Sequence, residues 1–345
     1  MDIRVFESYY TYVLVLMGTS GERKMAAGSV TDTNKSRPPL VSVVTVNWNG
    51  VDDTIECVLS LQRQTYPNFD ITVVDNGSDG DDPSILESLF GTSISVVRNT
   101  TNLGCGGGYN SGVRRVLRHE APDYVLIMNN DMVADSHMVE ELVNAASADE
   151  DIGIVGAKVY YYDCGGRSDI VWSAGGEIRR WGSKIHRRRG DGKMDATEYQ
   201  SVRRVDWVSG AALLFRPQVI TQAGSFNARH MVGYEDIQFC LRASAAGYGV
   251  LFAPSARAWH KVGASASKLH INSTNPSAYY ELVRECFPRH VYVYHLSLFP
   301  LLLCKWALLY VLRSRDREAL RRFLRDLRVF VLRRRTDTAA DESRP

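Results

Sequence analysis

The sequence predicts an α/β fold in which a mostly parallel central sheet is flanked by helices, with a C-terminal helical appendage. Three observations carry that prediction. Apolar, β-branched runs recur at 40–46, 70–74, 94–98 and 124–128, and helix-spaced segments separate them. Three of these runs close in polar turn chemistry rich in Asn, Asp and Gly. The runs are continuously apolar rather than alternating, the pattern of strands covered on both faces.

Taken in order, the run 40–46 closes at Asn47-Trp48-Asn49-Gly50. Ile55, Val58, Leu59 and Gln62 follow at helical spacing, with Asp52 or Asp53 placed to cap the helix and Pro67-Asn68 to end it. The second strand ends in Asp75-Asn76-Gly77-Ser78. A helix near 85–90, a strand over 94–98, a Gly-rich turn, a helix over 109–118 and a strand over 124–128 come next. After about residue 150 the pattern weakens, and the Gly-, Arg- and Trp-rich stretch 165–204 reads as a loop or hairpin excursion. A strand over 207–215, a helix over 235–246 and a strand over 250–253 resume the domain, and the chain reads as helix from 279 onward. The expected layout is a flexible leader over 1–38, a main domain over 39–275, a helical segment over 276–335 and a disordered tail over 336–345.

A chain of 345 residues, 45% apolar and 23% charged, is long enough for one large core plus an appendage. A net charge of +2 gives no reason to expect a nucleic-acid partner. The six cysteines are scattered with no Cys-x-x-Cys pair, so reduced thiols are expected rather than a zinc site or disulfides. The apolar patch at 12–17 is too short to span a bilayer and lacks the basic lead of a signal peptide, which makes a cytoplasmic location the default.

In open parallel sheets, ligands bind outside the carboxyl ends of the strands. Asn47-Trp48-Asn49-Gly50, Asp75-Asn76-Gly77-Ser78 and Asn129-Asn130-Asp131 fall at three such ends. Each alone is ordinary turn chemistry; together they point to one polar crevice, with Asp75 suited to accept from a base N–H or a ribose hydroxyl. The Gly-rich segment from Asn102 and Gly104 to Asn110 offers backbone N–H groups at a helix start, which suit a phosphate or a sugar edge. Asp131 suits a hard cation such as Mg²⁺ or Mn²⁺, or else caps a helix starting near Ser136. Glu235-Asp236 opens a helix, where carboxylates cap free N–H groups, but a carboxylate beside a cleft is also what a general base requires. His260 reads either as a structural histidine or as a ligand.

The segments VSVVTVNWNG, ITVVDNGSDG, VVRNTTNLGCGGGYNSGV, YVLIMNNDM, VSGAALLFRP, GYEDIQFCLRASAAGY and APSARAWH, in this order, resemble the inverting GT-A glycosyltransferase family, in particular its rhamnosyltransferase-like and galactofuranosyltransferase-like branch. The likeness covers roughly residues 40–290. It implies the GT-A nucleotide-diphospho-sugar transferase fold, with 39–275 as catalytic domain. It also implies site roles. Asn47, Asn49, Asp75, Asn102, Gly104, Asn110, Asn130 and Asp131 would hold the donor. Asp131 and His260 would bind Mg²⁺ or Mn²⁺, and Asp236 would be the general base. Trp207, Ser209, Gly210, Glu235 and Arg284 would lie near the sugar or acceptor. The chain departs from the family pattern in having Asn129 for the first Asp of the DxD-like motif and Glu285 for an Asn.

The partners this implies are a nucleotide-diphospho-sugar donor, with dTDP-rhamnose first and UDP-galactofuranose, UDP-glucose or UDP-N-acetylglucosamine as alternatives, and a saccharide or lipid-linked saccharide acceptor. A sugar-phosphate nucleotidyltransferase is the competing class, but it requires a Gly-rich, Lys- or Arg-containing motif after the first strand, and Asn47-Trp48-Asn49-Gly50 is not one. A glycan-binding module without catalysis is the third class, and the presence of Asp131, Asp236 and His260 speaks against it. The apolar run 291–312 followed by arginines between 313 and 328 reads as an interfacial helix, suiting an anionic membrane surface at the inner face of the plasma membrane, or as a packing element.

Overall fold

The computed structural model describes residues 37–182, 184–262, 276–298 and 301. Strands β1 (Val41–Asn47), β2 (Phe69–Asp75), β3 (Ser95–Arg98) and β4 (Tyr124–Asn129) pair in parallel in the order β3-β2-β1-β4. Helices α1 (Val51–Gln62), α2 (Asp82–Phe90) and α3 (Gly104–His119) connect them. The second half adds β5 (Met132–Ala134), α4 (Met138–Ser147) and β6 (Ile152–Tyr161). β12 (Ala212–Phe215) inserts between β4 and β6, antiparallel to both. Helices α5 (Pro217–Ala223) and α6 (Glu235–Ala245) then lead to β13 (Gly249–His260), which runs parallel to β6 and carries β5 on its far end.

Both faces of the sheet are covered, as the unbroken apolar strands require. Val43, Val73, Leu126 and Met128 pack with Ile55, Val58 and Leu61 of α1 and Met138 and Leu142 of α4. Val44, Val74, Val125 and Ile127 point the other way, onto Val113 and Val116 of α3 and Phe239 and Cys240 of α6. The period of two along each strand thus splits one apolar run between two cores. The Gly-rich stretch lies inside α3 rather than before it. A Cβ at Gly112 would meet Val44 Cγ1 at 2.3 Å, so the helix sits against β1 at a distance only glycine permits.

Other expectations change for identifiable reasons. α1 is capped by Gly50, not Asp52 or Asp53, and Asp53 instead binds the Lys261 ammonium at 2.7 Å. Asp131 does not cap a helix, because β5 intervenes and His137 occupies the cap position of α4. The strand expected over 207–215 reduces to β12, since Ser209 and Gly210 turn the backbone toward other partners. β13 continues past Pro254 through a bulge between Ala253 and Arg257, which accommodates the missing N–H.

The excursion is folded. It contains β7 (Ile170–Ser173) paired to β6, the hairpin β8 (Gly176–Ile178) and β9 (His186–Arg188), and the short β10 (Lys193–Met194) and β11 (Arg203–Arg204). Lys158 of β6 is buried beneath it, its ammonium binding Asp195 at 3.0 Å and Gln200 at 3.0 Å. Helix α7 (Pro276–Cys286) and a helical stretch over 289–298 pack on the same domain. Among the described residues no helix is long and apolar enough to cross a membrane. The leader up to 36, the basic stretch 313–328 and the tail lie outside the described residues.

Candidate active site

Strand register brings the polar ends together. Asn47 stands opposite Asp75, and Val46 opposite Asn129. Asn47 is fully buried, donating to Asp75 Oδ1 at 3.0 Å and Asp82 Oδ2 at 2.9 Å and accepting from Thr54 Oγ1 at 2.7 Å. Asp75 also accepts from the Ser78 hydroxyl at 2.6 Å. Asn49 takes a left-handed backbone, φ 51°, and exchanges two hydrogen bonds with Asp79. Asn130 donates to Thr54 Oγ1 at 2.9 Å, tying the end of β4 to α1.

Part of the expected donor-binding set is thus hydrogen-bonded within the protein. The side chains of Asn47 and Asn130 are buried with their amides engaged inside the protein, which braces the crevice wall. Asn110 is a third such case, since its amide donates to Phe226 O at 2.8 Å and accepts from Phe226 N at 3.0 Å. The helix-start N–H groups offered to a phosphate are likewise engaged. Leu103 N donates to Asn76, Gly104 N to Asn102 Oδ1, and Cys105 N to Met231 O. Gly104 holds φ at +75°, and a Cβ there would meet His230 O at 2.8 Å, so the 227–231 segment crosses it closely.

Beyond β4 the chemistry differs. Asp131 Oδ1 lies 3.0 Å from His260 Nε2, and both side chains are buried. Burial alone would raise the Asp131 carboxyl, but the hydrogen bond and charge of His260 more than offset it and hold it below the ordinary carboxylate range. Trp172 meets the His260 ring edge-on at 4.4 Å, and His260 Nδ1 is buried without a partner among the described residues. A carboxylate oxygen and an imidazole nitrogen facing each other suit a divalent cation in place of the shared proton. Among the described residues no third His, Cys, Asp or Glu joins them, so remaining ligands would have to come from substrate or water.

Asp236 and Glu235 start α6 behind Tyr234, which takes the left-handed conformation, φ 64°. Asp236 accepts from Gly210 N at 2.9 Å and from Ile237 N at 2.8 Å, while Glu235 accepts from Gly233 N at 2.7 Å. Burial pushes both carboxyls up, and for Glu235 the charge of Asp236 adds to it. The Tyr109 hydroxyl donates to Asn129 Oδ1 at 2.6 Å and lies 3.4 Å from Gly210 O. One tyrosine therefore links the end of β4 to the turn that holds Asp236.

Around this carboxylate lie Trp207 and Ser209, both buried, and His186, whose ring is 5.9 Å from Trp207 and 5.2 Å from Tyr234. Burial, with the charges of Arg188 and Lys184, lowers His186 to about 4, so it is neutral near pH 7. Arg284 lies 3.6 Å from Glu285 on α7. Its neighbour Glu281 is engaged, binding Arg229 and His230 and so anchoring the segment that leads to Asp236. Sequence reading missed Glu281, Arg229, His186 and Arg188. The Arg-rich excursion was the only signal for the last two.

Residues 42–210 match the family described as Glycosyl transferase family 2. The chain is 27% identical over 238 residues to the uncharacterized protein y4gI of Sinorhizobium fredii, covering 66% of this chain but only a quarter, 25%, of that relative. It is 23% identical over 265 residues to an N-acetylglucosaminyl-diphospho-decaprenol L-rhamnosyltransferase of Mycobacterium tuberculosis, covering 70% of this chain and 80% of the relative. A structure of GalNAc-T7 with UDP, GalNAc and Mn²⁺ shares the fold with a TM-score of 0.57 at 16% identity, covering 74% of this chain and 51% of that one.

Proposed function

We propose that the chain, whose residues 42–210 match the model of glycosyl transferase family 2 and whose fold is GT-A, transfers a sugar, with inversion, from a nucleotide-diphospho-sugar to a saccharide acceptor. The observation that carries the reading is Asp236, a half-buried carboxylate held by the Gly210 N–H and tied through Tyr109 to the strand end that bears Asp131. Inversion needs one base on the acceptor side and no protein nucleophile. Asp236 accepts the proton of the acceptor hydroxyl as its oxygen forms the new bond to the anomeric carbon and the bond to the diphosphate oxygen breaks. The raised carboxyl of Asp236 favours that proton transfer.

Asp131 and His260 are the residues that would hold Mg²⁺ or Mn²⁺, which supplies neutralisation of the departing diphosphate. The Mn²⁺ in the GalNAc-T7 structure supports this use of a cation. Asp75 and Asn49 sit where a nucleoside would meet the strand ends. The rhamnosyltransferase relative supports rhamnose as the sugar and a lipid-linked saccharide as acceptor, and the arginine-rich 313–328 stretch suits an anionic membrane surface where such an acceptor resides.

The test is a screen of nucleotide-sugars with purified chain and Mg²⁺ or Mn²⁺, reading nucleoside diphosphate released with and without saccharide acceptors. The reading expects release that depends on one donor class and rises with acceptor. No release from any donor would sink it.

A further inference from the structure

β9 carries His186 and Arg188 two residues apart, hence on one face. The Arg188 guanidinium lies 4.0 Å over the ring of Trp172, the same ring whose edge meets His260. Its charge reaches Asp236. The Arg188 side chain nevertheless makes no hydrogen bond among the described residues. Its Nε is buried without a partner, and the carboxylate paired with it, Asp191, stands 3.8 Å away and already accepts from Tyr161 at 2.8 Å. Other half-buried arginines behave differently. Arg216 donates to Ile152 O and to Ala146 O at 2.9 Å each, and Arg189 donates to Ala174 O. A guanidinium has five donors and no way to shed its charge, so holding one half-buried on an aromatic ring with its fork unused implies an oxygen-bearing partner in the working state.

Placement identifies the partner. In the sheet order, β1 and β2, with Asp75, lie on one side of β4, and β12, β6 and β7 lie on the other, next to which the β8–β9 hairpin is joined through Gly176 and Trp207. If the nucleoside occupies the β1–β2 end, the hairpin belongs to the acceptor. The Arg188 side chain is 31% exposed and lines a cleft of about 410 Å³ with Arg187, Asp191, Lys193 and Tyr199, so it is reachable from solvent. A neutral polyol is the ligand that matches both a cationic fork and the carboxylates beside it, since its hydroxyls can accept from Arg188 and donate to Asp191 and Glu198, which line the same cleft.

We propose that Arg188, held in place by Trp172, binds the acceptor saccharide, donating to hydroxyl oxygens that flank the attacking hydroxyl. The assignment rests on the transfer reading above. The test compares the full-length chain with Arg188→Met, which keeps the stem but removes the charge, and Arg188→Lys, which keeps the charge but removes the planar fork. Initial rates are taken with donor and acceptor varied in turn, alongside donor hydrolysis without acceptor and thermal melts. The proposal expects acceptor KM to rise tenfold or more in Arg188→Met and by a smaller factor in Arg188→Lys, with donor KM unchanged. In Arg188→Ala, added guanidinium should restore part of the acceptor-dependent rate. A rise in donor KM with acceptor KM unchanged, or no kinetic change in either folded variant, overturns the assignment while leaving the transfer reading intact. A wild-type chain that releases no nucleoside diphosphate from any donor overturns both.

Discussion

The two ends of the crevice are built from similar residue types and behave oppositely. At the β1–β2 end, Asn47, Asn130 and Thr54 bind one another and their neighbours until their polar atoms are engaged. Toward the β12–β13 end, His260 Nδ1, His186 Nδ1, Trp207 Nε1 and Arg188 Nε are buried with no partner among the described residues, whereas on β1 only Thr45 Oγ1 is. Satisfied buried polar groups rigidify and specify a structure, whereas unsatisfied ones are costly and call for a functional explanation. We therefore expect the first end to act as scaffold and the second to carry chemistry on the substrate.

Breaking that contrast most severely means removing the base. Asp236→Asn keeps the acceptor oxygen for Gly210 N–H but cannot take a proton, and turnover should fall about 10²–10⁴-fold with donor KM little changed. Near-normal turnover in a folded Asp236→Asn protein would transfer the role elsewhere, Glu235 first. Next in size is the metal pair. Chelation should abolish transfer, added Mn²⁺ or Mg²⁺ should restore it, and Asp131→Ala or His260→Ala should raise the metal concentration needed. Undiminished activity in chelator would remove the cation from the account.

The scaffold end predicts the reverse pattern. Asn47→Ala strands Thr54, Asp75 and Asp82 partners, so it should cost about 2–3 kcal/mol of stability in denaturant unfolding. A variant of normal stability with a raised donor KM would instead make Asn47 a ligand contact. The smallest effect concerns Glu281, which burial would raise but which the His230 and Arg229 contacts bring down to about 2. A depressed carboxyl stabilises the fold above its ordinary pKa, near 4.5, and that contribution is lost as pH falls from there toward 2. Glu281→Gln should flatten that acid-side decline, and an unchanged decline would show that the clamp contributes nothing.

The contrast also separates what the sequence reveals from what it hides. β1, β2 and β4 are legible because an apolar run followed by Asn, Asp or Gly has few other readings, and their register then places Asp75 and Asp131 along one edge. Asp236 and His260 are named by resemblance, since a helix-capping carboxylate and a lone histidine carry no signal of their own. β6 escapes notice because Gly153, Gly156 and the buried Lys158 interrupt its apolar pattern, and the lysine makes sense only beside Asp195, brought from 37 positions away. Arg188 and Glu281 escape for the same reason. Their meaning lies in Trp172, Arg229 and His230, contacts that no local spacing encodes.

The central claim is a single-displacement transfer with Asp236 as sole base. Its most direct test is the anomeric configuration of the product, read by proton NMR before mutarotation or further reaction can scramble it. A product whose anomeric configuration is opposite to that of the donor is the result predicted. A product retaining the donor configuration would require a nucleophile or a front-face mechanism and would contradict the account.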